Sequence, residues 1–207
     1  MIIVIANFKG GVGRSTLTLA LANYLSQEHR KFVTVLDLDF KQSLVNMQKN
    51  TLILQTPSLY TVYSLEQATS ANLVAQIEDK PHQILLVDTP SNIQDSHLSE
   101  YYSLADLIIC PFSYDQFTTH ATILFSLVIS KINPRAPICY MPNRIKSTAN
   151  IESKRDIEKV LSNFGTISSI IYDKIDFQNL TNIHTPVRLL TMLLPAFDNL
   201  YHQYIYK

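Results

Sequence analysis

The chain has 207 residues, carries 17 basic and 17 acidic side chains, and has a sequence pI near 7.0. Such a balance excludes a protein that coats nucleic acid through bulk charge; 46% hydrophobic against 16% charged residues excludes a disordered, self-repelling chain and leaves enough for one sizeable core. Cys110 and Cys139 sit in apolar runs rather than in metal or redox spacing, nothing resembles a signal peptide and no apolar run could span a bilayer, so the expected compartment is the cytoplasm, with reduced thiols.

In chain order, the apolar run Ile2–Ala6 reads as a buried strand that stops abruptly at Asn7-Phe8-Lys9-Gly10-Gly11-Val12-Gly13-Arg14-Ser15-Thr16. Three of the four glycines lie in this loop. A helix then runs from Leu17 to Gln27, with Leu17, Ala20, Leu21, Tyr24 and Leu25 on one face. Glycines let a backbone close around an anion, and successive N–H groups with the positive end of a helix make a phosphate nest. In such a loop Ser15 is the hydroxyl on the magnesium side. The alternative is a Gly-rich turn that only starts a helix.

A second buried strand, Phe32–Asp39, ends in two carboxylates, Asp37 and Asp39. They point to one side if the strand persists, beyond its carboxyl end, where open α/β sheets bind ligands. Like charges so placed call for a cation or water between them. Residues 44–54 read as a short helix and loop, residues 58–69 as a turn and then a helix, and residues 73–77 as a further piece. Lys80-Pro81-His82 is a turn before a third strand, Gln83–Asp88, which also ends in a carboxylate. Leu104–Pro111 is a fourth strand. Gln116–Ser130 reads as a helix with Phe117, Ala121, Leu124, Phe125 and Val128 inward. A fifth strand, Ile138–Pro142, leads to Asn143-Arg144. A helix over residues 150–163 stops at Gly165, Thr166–Ile171 is a sixth strand, and Thr191–Tyr206 is a terminal helix interrupted or started by Pro195. His82, His97, His120 and His184 show no ligand spacing and read as surface or packing residues.

Lys9-Gly-Gly-Val-Gly-Arg14-Ser-Thr resembles the deviant Walker A motif of the ParA/MinD family, KGG-x-GK-[ST]-T, with Arg14 at the place of the P-loop lysine. Asp37-Leu-Asp39-Phe40-Lys41-Gln42-Ser43 is similar to that family's Asp-x-Asp-Pro-Gln-x-Ser, and Asp88-Thr-Pro-Ser91 to its Asp-x-Pro-Pro Walker B segment. Leu104-Ala-Asp106 through Pro111 resembles a further family strand, Asn143-Arg144 its base-contacting strand end, and His184-Thr-Pro186-Val187 the Gly-x-Pro-Val stretch that closes over the base. The resemblance implies an α/β P-loop NTPase fold: a mostly parallel twisted sheet with helices on both faces, in the strand order 3-2-4-1-5 onward. It covers nearly all of residues 1–207, as a single domain with no N-terminal helix-turn-helix.

By the same resemblance the cofactors are ATP and Mg²⁺, and the partners are a second copy in a homodimer that sandwiches ATP, non-specific DNA and a ParB-like protein. Lys9 would reach the partner's phosphates; Gly10, Gly11, Val12, Gly13, Arg14, Ser15 and Thr16 would cradle phosphate; Ser15, Asp37 and Asp88 would serve the metal. Asp39 would position the attacking water, while Asn143, Arg144, Pro186 and Val187 would border the base. Guanidinium is not interchangeable with ammonium, so weak hydrolysis is expected; the alternative is a non-hydrolysing nucleotide-binding regulator or positioning protein acting through protein partners. For DNA the candidates are Lys131, Arg135, Lys146, Lys154, Arg155 and Lys159, in the one stretch where cations outnumber acids, with association at the nucleoid as the consequence. Residues 192–207 form no basic amphipathic face, so no stable membrane anchor is expected.

Overall fold

The structure is a computed structural model that describes residues 1–53, 55, 57–67, 83–91, 96–148 and 151–206. The helix piece at 73–77 and the Lys80-Pro81-His82 turn lie outside the described residues. Among the described residues, seven parallel strands form one sheet: β1 (Ile2–Ile5), β2 (Phe32–Asp37), β3 (Thr61–Ser64), β4 (Gln83–Asp88), β5 (Leu107–Phe112), β6 (Ile138–Pro142) and β7 (Thr166–Ile167). Their spatial order is β3-β2-β4-β1-β5-β6-β7. The central strands read as unbroken apolar runs because both faces of the sheet are covered. Ile3 and Ile5 face one core layer, while Ile2 and Val4 face the other.

Helices α1 (Arg14–Gln27), α2 (Ser43–Ile53) and α6 (Val187–Leu200) pack on the first face; α3 (Ser96–Leu104), α4 (Gln116–Ile132) and α5 (Lys154–Leu161) pack on the second. A strand, Thr61–Ser64, stands where the sequence reads as turn and helix. Its four residues pair with β2 from Thr34↔Thr61 to Asp37↔Ser64, so tertiary pairing overrides a short, weakly patterned segment. The sixth expected strand is shorter than its apolar run, two residues against six, and the chain leaves the edge after Ile167. The terminal helix begins earlier than expected, at Val187, and carries Pro195 inside it. Leu189, Leu193, Ala196, Phe197 and Leu200 are buried along it, and that packing outweighs the backbone hydrogen bond a proline removes.

Helix α4 departs most from its expected orientation. Phe125 is inward, with Thr118, Thr122, Ser126 and Ile129. Phe117 and Leu124 face outward, 79% and 45% exposed, and Ala121 and Val128 are only half-buried. Hydroxyl chemistry sets the rotation. The Asn7 amide donates to Thr122 Oγ1 at 2.9 Å, and the Ser126 hydroxyl pairs with the buried Tyr140 hydroxyl. Thr122 and Ser126 in turn donate to the carbonyls four residues back, at 2.8 and 2.7 Å. A buried amide and phenol without those partners would cost more than leaving leucine half wet.

Candidate nucleotide site

The site is assembled at the carboxyl ends of the strands. Ala6 and Asn7 follow β1, and the loop reaches α1 through Gly11 and Gly13, at φ 79° and 89°. Gly13 is the N-cap of α1 and has no capping side chain, so the helix presents free N–H groups to whatever the loop encloses. A side chain at Gly13 would also collide with Asn143, whose Nδ2 lies 2.5 Å from an added Cβ. Val12 is buried beside it, and its carbonyl accepts from Asn143 Nδ2 at 2.8 Å. That bond fixes the Asn143 amide with Oδ1 buried and unpaired. Such an oxygen wants a donor.

Asn7 fastens the loop from below. Its Nδ2 donates to the Pro111 carbonyl at 2.9 Å as well as to Thr122, and its Oδ1 accepts the Lys9 N–H at 2.9 Å. Sequence reasoning assigned it no role; an asparagine closing an apolar strand was the available signal. Lys9 itself is exposed, and its side chain makes no ion pair among the described residues. Gly10 and Gly11 are exposed beside it.

Arg14 does not reach forward into the nest. Its Nε donates to the Thr89 carbonyl at 2.7 Å, and its Nη1 donates to the carbonyls of Asn7 and Lys9 at 2.9 and 2.7 Å. The guanidinium thereby ties the loop to the end of β4 and is only 8% exposed. Burial lowers its pKa, and the nearby Asp88 and Asp39 raise it again. Nη2 is the part of the fork left for a ligand.

Three carboxylates gather behind the loop. Asp37 and Asp88 are register partners at the ends of β2 and β4. Asp88 is fully buried, and burial pushes its carboxyl up to about 7, against the opposing pull of Ser15 and Arg14. Its Oδ2 has no hydrogen-bond partner. Asp37 is bound to backbone: its carboxylate accepts the N–H groups of Leu44 and Val45 at 2.9 and 3.2 Å, and that of Asp39 at 3.2 Å. It therefore caps the start of α2; burial raises its pKa while these bonds lower it. β2 ends at Asp37, so Asp39 lies in the following turn rather than on the same strand face, half-buried and accepting from the Lys41 N–H.

Among the described residues no three His, Cys, Asp or Glu side chains come together as a metal cage. The orphan Asp88 Oδ2 near Ser15 nevertheless suits Mg²⁺, which takes one or two protein oxygens and completes its shell with phosphate and water.

A cavity of about 540 Å³ extends from Gly13 and Thr16 past Asn143 and Arg144 to Asp173, Lys174, Ile175, Phe177 and Gln178. The segment at 173–178, which resembles the family stretch preceding the last helix, thus forms the far wall. Pro186 and Val187 do not line it; they cap and begin α6, with Val187 exposed. Arg144 sits at φ 59° and donates from Nη1 to the Gly11 carbonyl at 2.7 Å, roofing the loop.

The basic stretch is divided. Lys146 lines a second cavity with Tyr114 and Arg144, near the loop; Lys154, Arg155 and Lys159 lie on α5. Lys131 ends α4 and Arg135 lines a cavity with Met1 and Gln83, at the other end of the strands. Lys154 is paired with Glu158 at 3.9 Å.

Residues 3–187 match the family model described as the CobQ/CobB/MinD/ParA nucleotide binding domain. No curated protein matches the sequence. Among solved structures, a Borrelia burgdorferi B31 protein assigned to plasmid partition and bound to AMPPNP superposes with a TM-score of 0.75 at 17% identity, over 98% of each chain. The MinC:MinD cell division complex of Aquifex aeolicus gives 0.71 at 18% identity, covering 100% of this chain and 97% of that one. An ATP complex of a Cyanothece McdA variant gives 0.72 at 15% identity, covering 97% and 95%. Among the described residues no helix is long and apolar enough to cross a membrane.

Proposed function

Since the chain belongs to the CobQ/CobB/MinD/ParA nucleotide-binding family, we propose that it is an ATP-dependent switch of the ParA/MinD kind, one that binds Mg-ATP and hydrolyses it slowly. The observation that carries this reading is the open N-terminus of α1 at Gly13, beside the 540 Å³ cavity that Gly13, Thr16, Asn143 and Arg144 line. Phosphate suits that N-terminus, and the family resemblance, in which an Asn at this strand end meets the base, favours adenine.

Asp88 and Ser15 would hold Mg²⁺, and Asp37 would act through its water shell. Bound there, the ion would offset phosphate charge. Asp39 would orient water, and the free Lys9 ammonium would serve a second copy's nucleotide across a sandwich. Isothermal titration should show ATP binding in magnesium and weaker GTP binding. No heat and no competition with a labelled analogue at saturating nucleotide would overturn the reading.

Slow turnover follows from Arg14. A guanidinium already donating to three carbonyls cannot follow charge onto the transition state as a mobile ammonium does. Arg14→Lys should raise kcat about tenfold or more, by analogy with the loss of one electrostatic contact. An equal or lower kcat in the folded variant would leave a non-hydrolysing regulator as the better account. Partner-driven partition on DNA is the finer form of the proposal, supported by the exposed Lys146, Arg155 and Lys159. It requires a gel shift with duplex DNA that appears only with ATP and weakens steeply with salt. A ParB-like protein would be the trigger of release.

A further inference from the structure

Asn23 is fully buried on α1, and a buried amide must find hydrogen-bond partners. It finds them off the helix. Its Nδ2 donates to the Thr181 carbonyl at 2.8 Å and to Thr185 Oγ1 at 2.9 Å. The Tyr60 hydroxyl donates to Asn23 Oδ1 at 3.1 Å, which fixes the amide with both its donors toward the loop at 181–185. Gln27, one turn further along α1, donates to the Ile183 carbonyl of the same loop at 3.3 Å. From α2, the Thr51 hydroxyl donates to Asn182 Oδ1 at 2.7 Å.

Both ends of this connection bear on the nucleotide cavity. Only Asn179 and Leu180 separate Gln178, in the cavity wall, from Thr181. The 3-10 turn Ile175–Asn179 that makes the wall buries none of its own residues, so its place comes from what flanks it. At the other end, Thr16 lines the cavity at the start of α1. Asn23 follows on the same face, two turns and about 10 Å along the helix. One rigid helix therefore opens the phosphate loop and grips the anchor of the far wall.

We propose that Asn23 is a positioning residue for nucleotide, holding the wall at 173–178 at a set distance from the phosphate loop. Phosphates and base then meet surfaces already spaced for them, and less ordering is left to binding. This role rests on the nucleotide reading of the cavity, and one experiment separates the two. Hydrogen exchange at saturating Mg-ATP reads the loop and the wall independently. In the parent, ATP should protect the amides of residues 10–16 and of residues 175–180. In Asn23→Ala it should still protect 10–16 but no longer 175–180, and Kd for ATP should rise about tenfold, for two lost hydrogen bonds. Thr185→Val removes one of the two acceptors and should raise Kd about threefold, while Thr185→Ser keeps the acceptor and should match the parent. This milder pair serves if Asn23→Ala fails to fold. A residue that only stabilised the fold would change exchange without nucleotide and leave the ATP-dependent protection at both places. That result overturns the proposal, as does a parent in which ATP protects 10–16 alone. No protection at either place in the parent overturns the nucleotide reading itself, and the proposal with it.

Discussion

Helices α1 and α4 each follow a central strand and each lie against the sheet, but they are buried in opposite ways. Residues 17–25 of α1 are all buried, because α2 and α6 flank it and the loop at 181–185 closes over Asn23. Helix α4 buries three hydroxyl residues with Phe125 and Ile129, and shows its leucines to solvent. The comparison teaches that apolar content measures how much a helix wants to be covered. Which side is covered is decided by the few polar groups that must find partners inside.

The largest way to sharpen that contrast is in α1. Leu21→Ala empties a fully buried position and should cost about 3 kcal/mol in urea unfolding. Next comes the polar tie that rotates α4. Asn7→Ala removes the donors to Pro111 and Thr122 and the acceptor for the Lys9 N–H, and should cost about 2 kcal/mol. It should also weaken ATP binding, because the loop loses its lower fastening. The smallest effect is expected on the outer face. Leu124→Ala should change the stability of dilute, monomeric protein by no more than about 0.5 kcal/mol. A loss there as large as that at Leu21 would break the comparison.

Much of this was legible in the residues. Central strands announced themselves as apolar runs ending in Asp37 and Asp88, and the glycine loop announced a phosphate nest. The sheet order came from the family resemblance rather than from the residues alone, and β3, four residues long, is made by its pairing with β2 rather than by its own pattern. At the site, the resemblance put Arg14 at the phosphates; its Nε and Nη1 donate to three carbonyls, which no motif encodes because those acceptors come from Asn7, Lys9 and Thr89. The cavity wall at 173–178 was illegible for a similar reason. It depends on where the chain lands after leaving β7, and the bridge from Ile145 to Tyr172 sets that landing.

The outermost strands have a consequence of their own. β3 has four residues and β7 two, so the sheet ends in very little unpaired backbone. Short edges of this sort give a stray chain almost nothing to add a strand to. Crowding this protein in a cell therefore carries a low risk of cross-β growth from these sheet margins.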